Sequence, residues 1–246
     1  RSLFFSSPPR HPVDTGAYLI ARHETTFAEW IEFLEDLPAE ERARRTPRAG
    51  PWGIVALSRL GPRRYQLTFT AGKESYRAES GERLVYRGRD RRDAQDWLRF
   101  PAAGISADDV LAYLGWLDRT GRLAGARMCS EREWERAARG ADRRGYPHGD
   151  ALEPDDANYL ATYGEAHAGP DEVGSHPDSE SPYGVADMVG NVFELTRGMT
   201  GGTVVARGGA FIYDPVVNRI DNRVPAEPGF LGLYVGFRVC APAPSR

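Results

Sequence analysis

Lysine is all but missing from this 246-residue chain: thirty-one of its 32 basic side chains are arginine, and Lys73 is the exception. GC-rich codon usage produces such a bias, and adaptation to heat is the alternative. Cysteine is almost as scarce. Cys129 and Cys240 lie far apart with no Cys-x-x-Cys spacing, which argues against a zinc site and against a dithiol redox motif. Two free, buried thiols are expected, with a single disulfide as the alternative. No apolar run approaches the ~18 residues of a membrane helix, and no secretory signal is visible, so a cytoplasmic location is expected. An excess of charge of one sign is lacking as well. The net charge is −3, which favours neither nucleic acid nor an anionic membrane as partner. The sequence also has no P-loop, no Gly-x-Ser-x-Gly elbow and no nucleophile beside an identifiable base.

What is present describes an ordinary globular protein, 41% hydrophobic and 27% charged, long enough to bury a core without staples. The 27 glycines and 18 prolines are scattered, which points to a loop-rich fold. Three segments carry helix signals. In "TTFAEWIEFLEDLP" the residues Phe27, Trp30, Ile31 and Leu34 share one face, Thr25 or Thr26 can cap it, and Pro38 ends it. In "SADDVLAYLGWLDRTG", Ser106 with Asp109 resembles a capping box and Gly121 is the stop; in "SEREWERAARG", Ser130 with Glu133 makes a second box before Gly140. Strands are expected in "GAYLIARHE", in a hairpin of "RYQLTFTAG" with "ERLVYRG", and in "VVARGGAFI" and "YVGFRVCA". The hairpin reads as an insertion at about residues 51–100. From Pro147 to Val185 runs a long loop region, which in a compact domain is usually functional or pinned by ions and water.

Four pieces stand in fixed order: "YLIARHETTFAEWIEFL", "ARMCSEREWERAARG", "YGVADMVGNVFEL" and "RGGAF" with "GFRV". Together they resemble the formylglycine-generating enzyme family, the sulfatase-modifying-factor domain, over roughly residues 11 to 240. The resemblance implies an α+β, C-type-lectin-like fold with few helices and short antiparallel strands, residues 1–246 forming one domain. The family's usual opening strand is absent before Arg1, which suggests a fragment of a longer chain. "DWLRFP" and "GPDEVGSHPDSESPYGVAD" resemble versions fused behind bacterial serine/threonine kinases.

Asp187 and Glu194 are carboxylates seven apart that flank a Gly-Asn turn, a donor set suited to a hard cation. The resemblance implies calcium held by Asp187, the Gly190 and Val192 carbonyls and Glu194. The alternative is a buried Glu194 that accepts backbone N–H bonds with no metal. A second family site begins with an Asn such as Asn158 and needs a later Asp-x-aromatic, replaced here by "GEAHAGPDEVGSH". His148, His167 and His176 match no metal-ligand spacing and are expected to hydrogen-bond or face solvent; His11 and His23 read as structural. The arginines of "YRGRDRRDAQDWLRF" are expected on a solvated face, neutralised by interleaved Asp.

In the aldehyde-generating members, the Gly-Gly turn is followed by two cysteines that bind copper(I), which demands soft thiolates. Here Tyr213 falls at the first cysteine position and Val217 or Asn218 at the second, while Ala210 follows Gly-Gly. The copper chemistry therefore has no ligands in this chain. Tyr213 and Asp214 as an acid/base pair is a minor alternative. The expected function is a non-catalytic domain that binds a ligand or protein through Phe211, Tyr213, Asp214, Val216, Asn218, Asp221, Asn222, Phe230, Leu231, Leu233 and Tyr234. Rigid aromatics there can anchor a partner. Resemblance to variable proteins of diversity-generating retroelements places diversified residues in this same stretch. Two alternatives stand beside it: a sensor for an upstream serine/threonine kinase in cis, and a divergent oxidative enzyme of the superfamily.

Overall fold

Each main helix starts where a side chain satisfies its open N–H groups. Thr26 caps α1 (Phe27–Asp36), Ser106 caps α3 (Ala107–Arg119) and Ser130 caps α4 (Glu131–Arg139); each closes a reciprocal capping box with Glu29, Asp109 or Glu133. The computed structural model describes residues 12–49, 55–71, 74–200, 202–227, 229 and 231–244. Pro38 ends α1 as expected but then stands at the N-cap of a helix with no sequence signal, α2 (Ala39–Arg45). No residue of α2 is buried, so it shows no apolar period. It is held instead by ion pairs from Arg45 to Glu41 and to Asp109, at 3.2 and 2.9 Å. A fifth, one-turn helix is α5 (Leu160–Tyr163).

Among the described residues, twelve short strands make four small sheets. The terminal sheet runs β1 (Tyr18–Ile20), β12 (Val239–Pro242), β7 (Arg127–Met128), and it joins the two ends of the domain. The central sheet runs β10 (Val224–Ala226), β9 (Val204–Arg207), β8 (Phe193–Arg197), β11 (Val235–Gly236), with the β8–β11 pair parallel. The insertion forms an antiparallel sheet of β2 (Val55–Gly61), β3 (Arg64–Ala71) and β4 (Glu74–Glu79), followed by the two-residue pair β5 (Leu84–Val85) and β6 (Ala94–Gln95). The expected hairpin is thus re-paired: "RYQLTFTA" lies between β2 and β4, and "ERLVYRG" contributes only the small β5. The alternation on β3 puts Tyr65, Leu67, Phe69 and Ala71 inward, and this face packs on the core around Tyr86 and Phe100.

The principal core gathers the apolar stripes of α1 and α3 with the inner faces of the central and inserted sheets; Trp30 stacks on Tyr113 at 5.6 Å and meets Phe237 edge-on. A smaller core holds Trp134, Met188, Ile220, Cys129 and Cys240. The two cysteines are disulfide-bonded with their Cα atoms 4.9 Å apart, which corrects the expectation of free thiols. The adjacency comes from β7 pairing with β12, where Met128 faces Val239. Proximity of 111 residues in sequence is a product of the sheet, and spacing alone carries no sign of it. Among the described residues no helix is long and apolar enough to cross a membrane.

Candidate functional site

β9 ends in Gly208–Gly209, both in the left-handed region with φ of +91° and +78°. A Cβ on Gly208 would press on the Trp134 ring at 3.1 Å, and one on Gly209 would lie 2.1 Å from Asn218 Oδ1. The turn therefore requires glycine for conformation and for space. Gly209→Ala is expected to cost about 2–3 kcal/mol, since a strained φ and an overlap with Asn218 act together. Urea unfolding measures it, and a loss below about 0.5 kcal/mol would show that the loop yields freely.

The segment after the turn is fixed from inside. Asn218 donates its amide to the carbonyls of Tyr213 and Asp214 at 3.0 and 2.7 Å, and Asn222 donates to Val217 O at 2.7 Å. Asp214 Oδ1 accepts from Val217 N–H, and Tyr146 O–H donates to Pro215 O. Leu160 N–H donates to Tyr213 O, and Ile220 N–H to Gly145 O, so the long loop buttresses the segment.

This geometry divides the sequence-derived surface. Phe211, Asn218, Asn222 and Leu233 are buried, a correction: they shape the surface from behind, because the loop's own carbonyls need their amides and the core needs their apolar bulk. Tyr213, Asp221, Leu231 and Tyr234 are half-buried and Asp214 is exposed, while Val216 is a large apolar side chain left 47% exposed. Phe230 lies outside the described residues. Tyr213 meets Phe193 at 5.5 Å and Tyr234 at 6.0 Å, edge to face. Burial first, and then the neighbouring Tyr234, push the Tyr213 phenol up to about 12, so it is neutral at physiological pH. With Asp214 turned to Val217 N–H, the two do not form an acid/base pair.

The proposed cation ligands are placed differently from expectation. Both Glu194 oxygens are taken: Arg238 Nε and Nη2 donate at 2.6 Å each, and Trp134 Nε1 donates at 2.8 Å. Glu194 is thus a buried ion-paired acid, held by side chains rather than by backbone N–H groups. Asp187, left-handed at φ +55°, accepts Gly174 N–H at 2.6 Å. A residue missed in the sequence shares this interior: Glu24, 1% exposed. One of its oxygens accepts from Asn191 Nδ2, and the other has no hydrogen-bond partner among the described residues. Burial, and next the charge of Asp187, raise its carboxyl well above the ordinary range. Three buried carboxyl groups, Glu24, Asp187 and Glu194, therefore share this interior with Arg238, and His23 Nδ1 lies 3.9 Å from Asp187; a cation bound here would favour ionisation of Glu24. Among the described residues no three acidic, histidine or cysteine side chains converge as a ready-made cage. A cation here would need main-chain oxygens such as those of Gly190 and Val192.

The histidines are separate. His148 meets Asp156 at 3.1 Å, His167 Nδ1 faces Arg87 O at 3.0 Å, and His176 is buried between Asp155 O and the Asp171 carboxylate, 2.9 Å from each. The insertion's arginines divide: Arg87, Arg91 and Arg99 are exposed as expected, Arg92 is half-buried and Arg89 is buried. Arg89 is buried on Asp171, Arg91 and Arg92 pair with Asp155, and Arg83 and Arg99 pair with Glu172. These counter-ions come from the long loop, 63 to 89 residues away, while inside the insertion Arg87 pairs with Glu74 at 3.0 Å and Arg91 also lies 3.8 Å from the interleaved Asp90.

A loop-rich α+β domain with a small central sheet and its ends joined in a second sheet is a C-type-lectin-like fold. The chain belongs to the family described as the sulfatase-modifying factor enzyme 1-like domain, whose model matches residues 3–243. It is 30% identical over 199 residues to a hercynine oxygenase of Mycolicibacterium smegmatis, covering 76% of this chain and 39% of that protein. It is 28% identical over 204 residues to the formylglycine-generating enzyme of Mycobacterium tuberculosis, covering 76% and 66%. The chain thus spans between two fifths and two thirds of these curated relatives. In structure it is similar to Treponema denticola variable protein 1, with a TM-score of 0.56 at 16% identity over 93% of this chain and 94% of the other.

Proposed function

We propose that this chain is a catalytically inert recognition domain that binds a protein or ligand through Tyr213, Asp214, Val216, Asp221, Leu231 and Tyr234. The observation that carries the reading is chemical. Where the aldehyde-generating chemistry requires thiolates, this chain has a neutral tyrosine and, at the second position, the buried Val217 or Asn218, and its two cysteines are bonded to each other in a different core. Asn218 and Asn222 hold the face rigid, so little loop entropy is lost when a partner docks. The shared fold with a variable protein supports diversification of this face.

Comparing this stretch across sister strains tests it. Substitutions should concentrate at Tyr213, Asp214, Val216, Asp221, Leu231 and Tyr234, while Gly208, Gly209, Asn218 and Asn222 stay fixed. Drift spread evenly across both sets would remove the diversified reading. The hercynine oxygenase relative favours one second reading, an oxidative enzyme using a metal other than copper. Iron bound stoichiometrically by the purified chain would establish that reading over ours. A kinase partner in cis is decided by the reading frame upstream.

Calcium held by Asp187, Glu194 and the Gly190 and Val192 carbonyls is part of the proposal, supported by the crowding of the Glu24, Asp187 and Glu194 carboxyl groups there. The pH dependence follows from Glu24. Below its ordinary value of 4.5, folded and unfolded chains both hold the proton. As pH rises the unfolded chain ionises first, and stability falls until the raised folded value is passed. In chelator, Glu24→Gln should therefore melt higher than wild type near about pH 8, with the gap closing toward about pH 4. Calcium should raise the melting temperature of the wild type and not of Glu24→Gln; a wild type indifferent to calcium would exclude the ion. The buried disulfide further supports an oxidising compartment in place of the cytoplasm.

A further inference from the structure

The stretch from Asn158 to Asp171 turns a series of oxygens inward. His167 O, Gly169 O and Asp171 Oδ1 converge on one cation, and that cation is Arg89. Its Nε donates to His167 O at 2.9 Å, its Nη2 to Gly169 O at 3.1 Å and its Nη1 to Asp171 Oδ1 at 2.6 Å. The Arg89 and Asp171 side chains are 0% and 1% exposed. Carboxylate and carbonyl oxygens at alternate residues of a loop are the donors that a hard divalent ion takes. Asn158, the residue with which a second metal site of the family would begin, donates Nδ2 to the same Gly169 carbonyl at 2.9 Å. Its own Oδ1 is buried without a hydrogen-bond partner among the described residues.

The remaining surroundings suit a guanidinium and not a metal. The Arg89 guanidinium carbon lies 3.5 Å from the Tyr86 ring centroid and 3.7 Å from that of Tyr163, a two-sided aromatic sandwich. Ring faces attract a planar, weakly hydrated cation, yet they offer no oxygen to calcium and exclude the waters that would complete its shell. The Asp171 carboxylate is also engaged by Gln95, Tyr163 and His176, at 2.7, 2.8 and 2.9 Å. Burial works against its ionisation, but the hydrogen bond from His176 and the charge of Arg89 outweigh it and hold its carboxyl below the ordinary range.

We propose that Arg89 replaces a metal ion: a cation built into the inserted segment occupies the oxygen cage of residues 158–171 and makes this half of the domain independent of divalent ions. Arg89 is then a positioning residue for the recognition face, because the loop it fastens carries Leu160, whose N–H holds Tyr213 O at 3.1 Å. The claim concerns a second site, separate from the Glu24–Asp187 pocket, and is read as a difference from wild type whether or not that pocket holds calcium.

The test compares wild type, Arg89→Ala and Arg89→Lys, stripped with chelator and then titrated with calcium or terbium. In chelator, Arg89→Ala should melt about 10 °C below wild type, since a buried carboxylate loses its partner. It should bind one more divalent or lanthanide ion per chain than wild type, show terbium emission sensitised by Tyr86 and Tyr163, and recover at least half of the lost melting temperature with calcium. Arg89→Lys, which keeps the charge without the fork, should fall between the two and bind no extra ion. Equal ion counts in wild type and Arg89→Ala would overturn the proposal, as would a loss of stability that no divalent ion restores, or no loss at all. If Arg89→Ala does not fold in chelator, refolding in millimolar calcium is the deciding measurement: recovery supports the proposal and continued failure overturns it.

Discussion

Arg238→Ala is expected to destabilise the domain by about 3–5 kcal/mol, the cost of leaving a buried acid without its counter-ion. Arg238 is wholly interior and makes five hydrogen bonds, two to Glu194 and one each to the carbonyls of Ala21, Arg22 and Ala186. It joins the strand after β11 to the N-terminal segment and to the loop ahead of β8, so its loss opens three chain segments together. The negative charge of Asp187 in the same interior adds to the penalty. Replacing the pair as Glu194→Gln with Arg238→Met should recover part of the loss, because the unpaired charge is gone. Urea unfolding of the two single variants and the double variant measures the coupling. Additive losses would mean that the pair acts as two independent side chains.

The second large effect comes from the disulfide. Cross-linking residues 111 apart removes loop-closure entropy from the unfolded chain worth about 4–5 kcal/mol. Cys129→Ala with Cys240→Ala should lower stability by most of that amount while the native circular dichroism is retained, since both side chains sit in an apolar core that tolerates a small residue. Native protein should react with no thiol reagent, and two thiols should appear only after denaturation with reductant. Two reactive thiols in the native protein would mean that the bond is not formed in solution.

Much of the frame is written locally. The boxes Thr26–Glu29, Ser106–Asp109 and Ser130–Glu133 are contacts between residues three apart, so α1, α3 and α4 were legible together with their starts. The Gly208–Gly209 turn was legible because its residues admit no substitute. The family followed from short pieces in order, and so did the lack of thiols at Tyr213 and at Val217 or Asn218. β8 was not legible: its first four residues are all buried, which removes the alternation that marks a strand, and "NVFEL" reads equally well as part of a cation motif. α2 was missed for the opposite reason, having no buried face.

The interior charges were decided by the tertiary structure. Arg89 meets Asp171 across 82 residues and Arg238 meets Glu194 across 44, and no periodicity or spacing joins such partners. Glu24 is only the last residue of an expected strand, "GAYLIARHE", until the chain brings it beside Asp187 and Asn191. Phe211, Asn218, Asn222 and Leu233 share the composition of a binding surface with Tyr213, Asp214 and Val216, and only the direction in which the loop folds separates the two sets. Residue type states what a side chain can bond to. Whether its partner is solvent, a ligand or a distant arginine depends on contacts that form only when the whole domain closes.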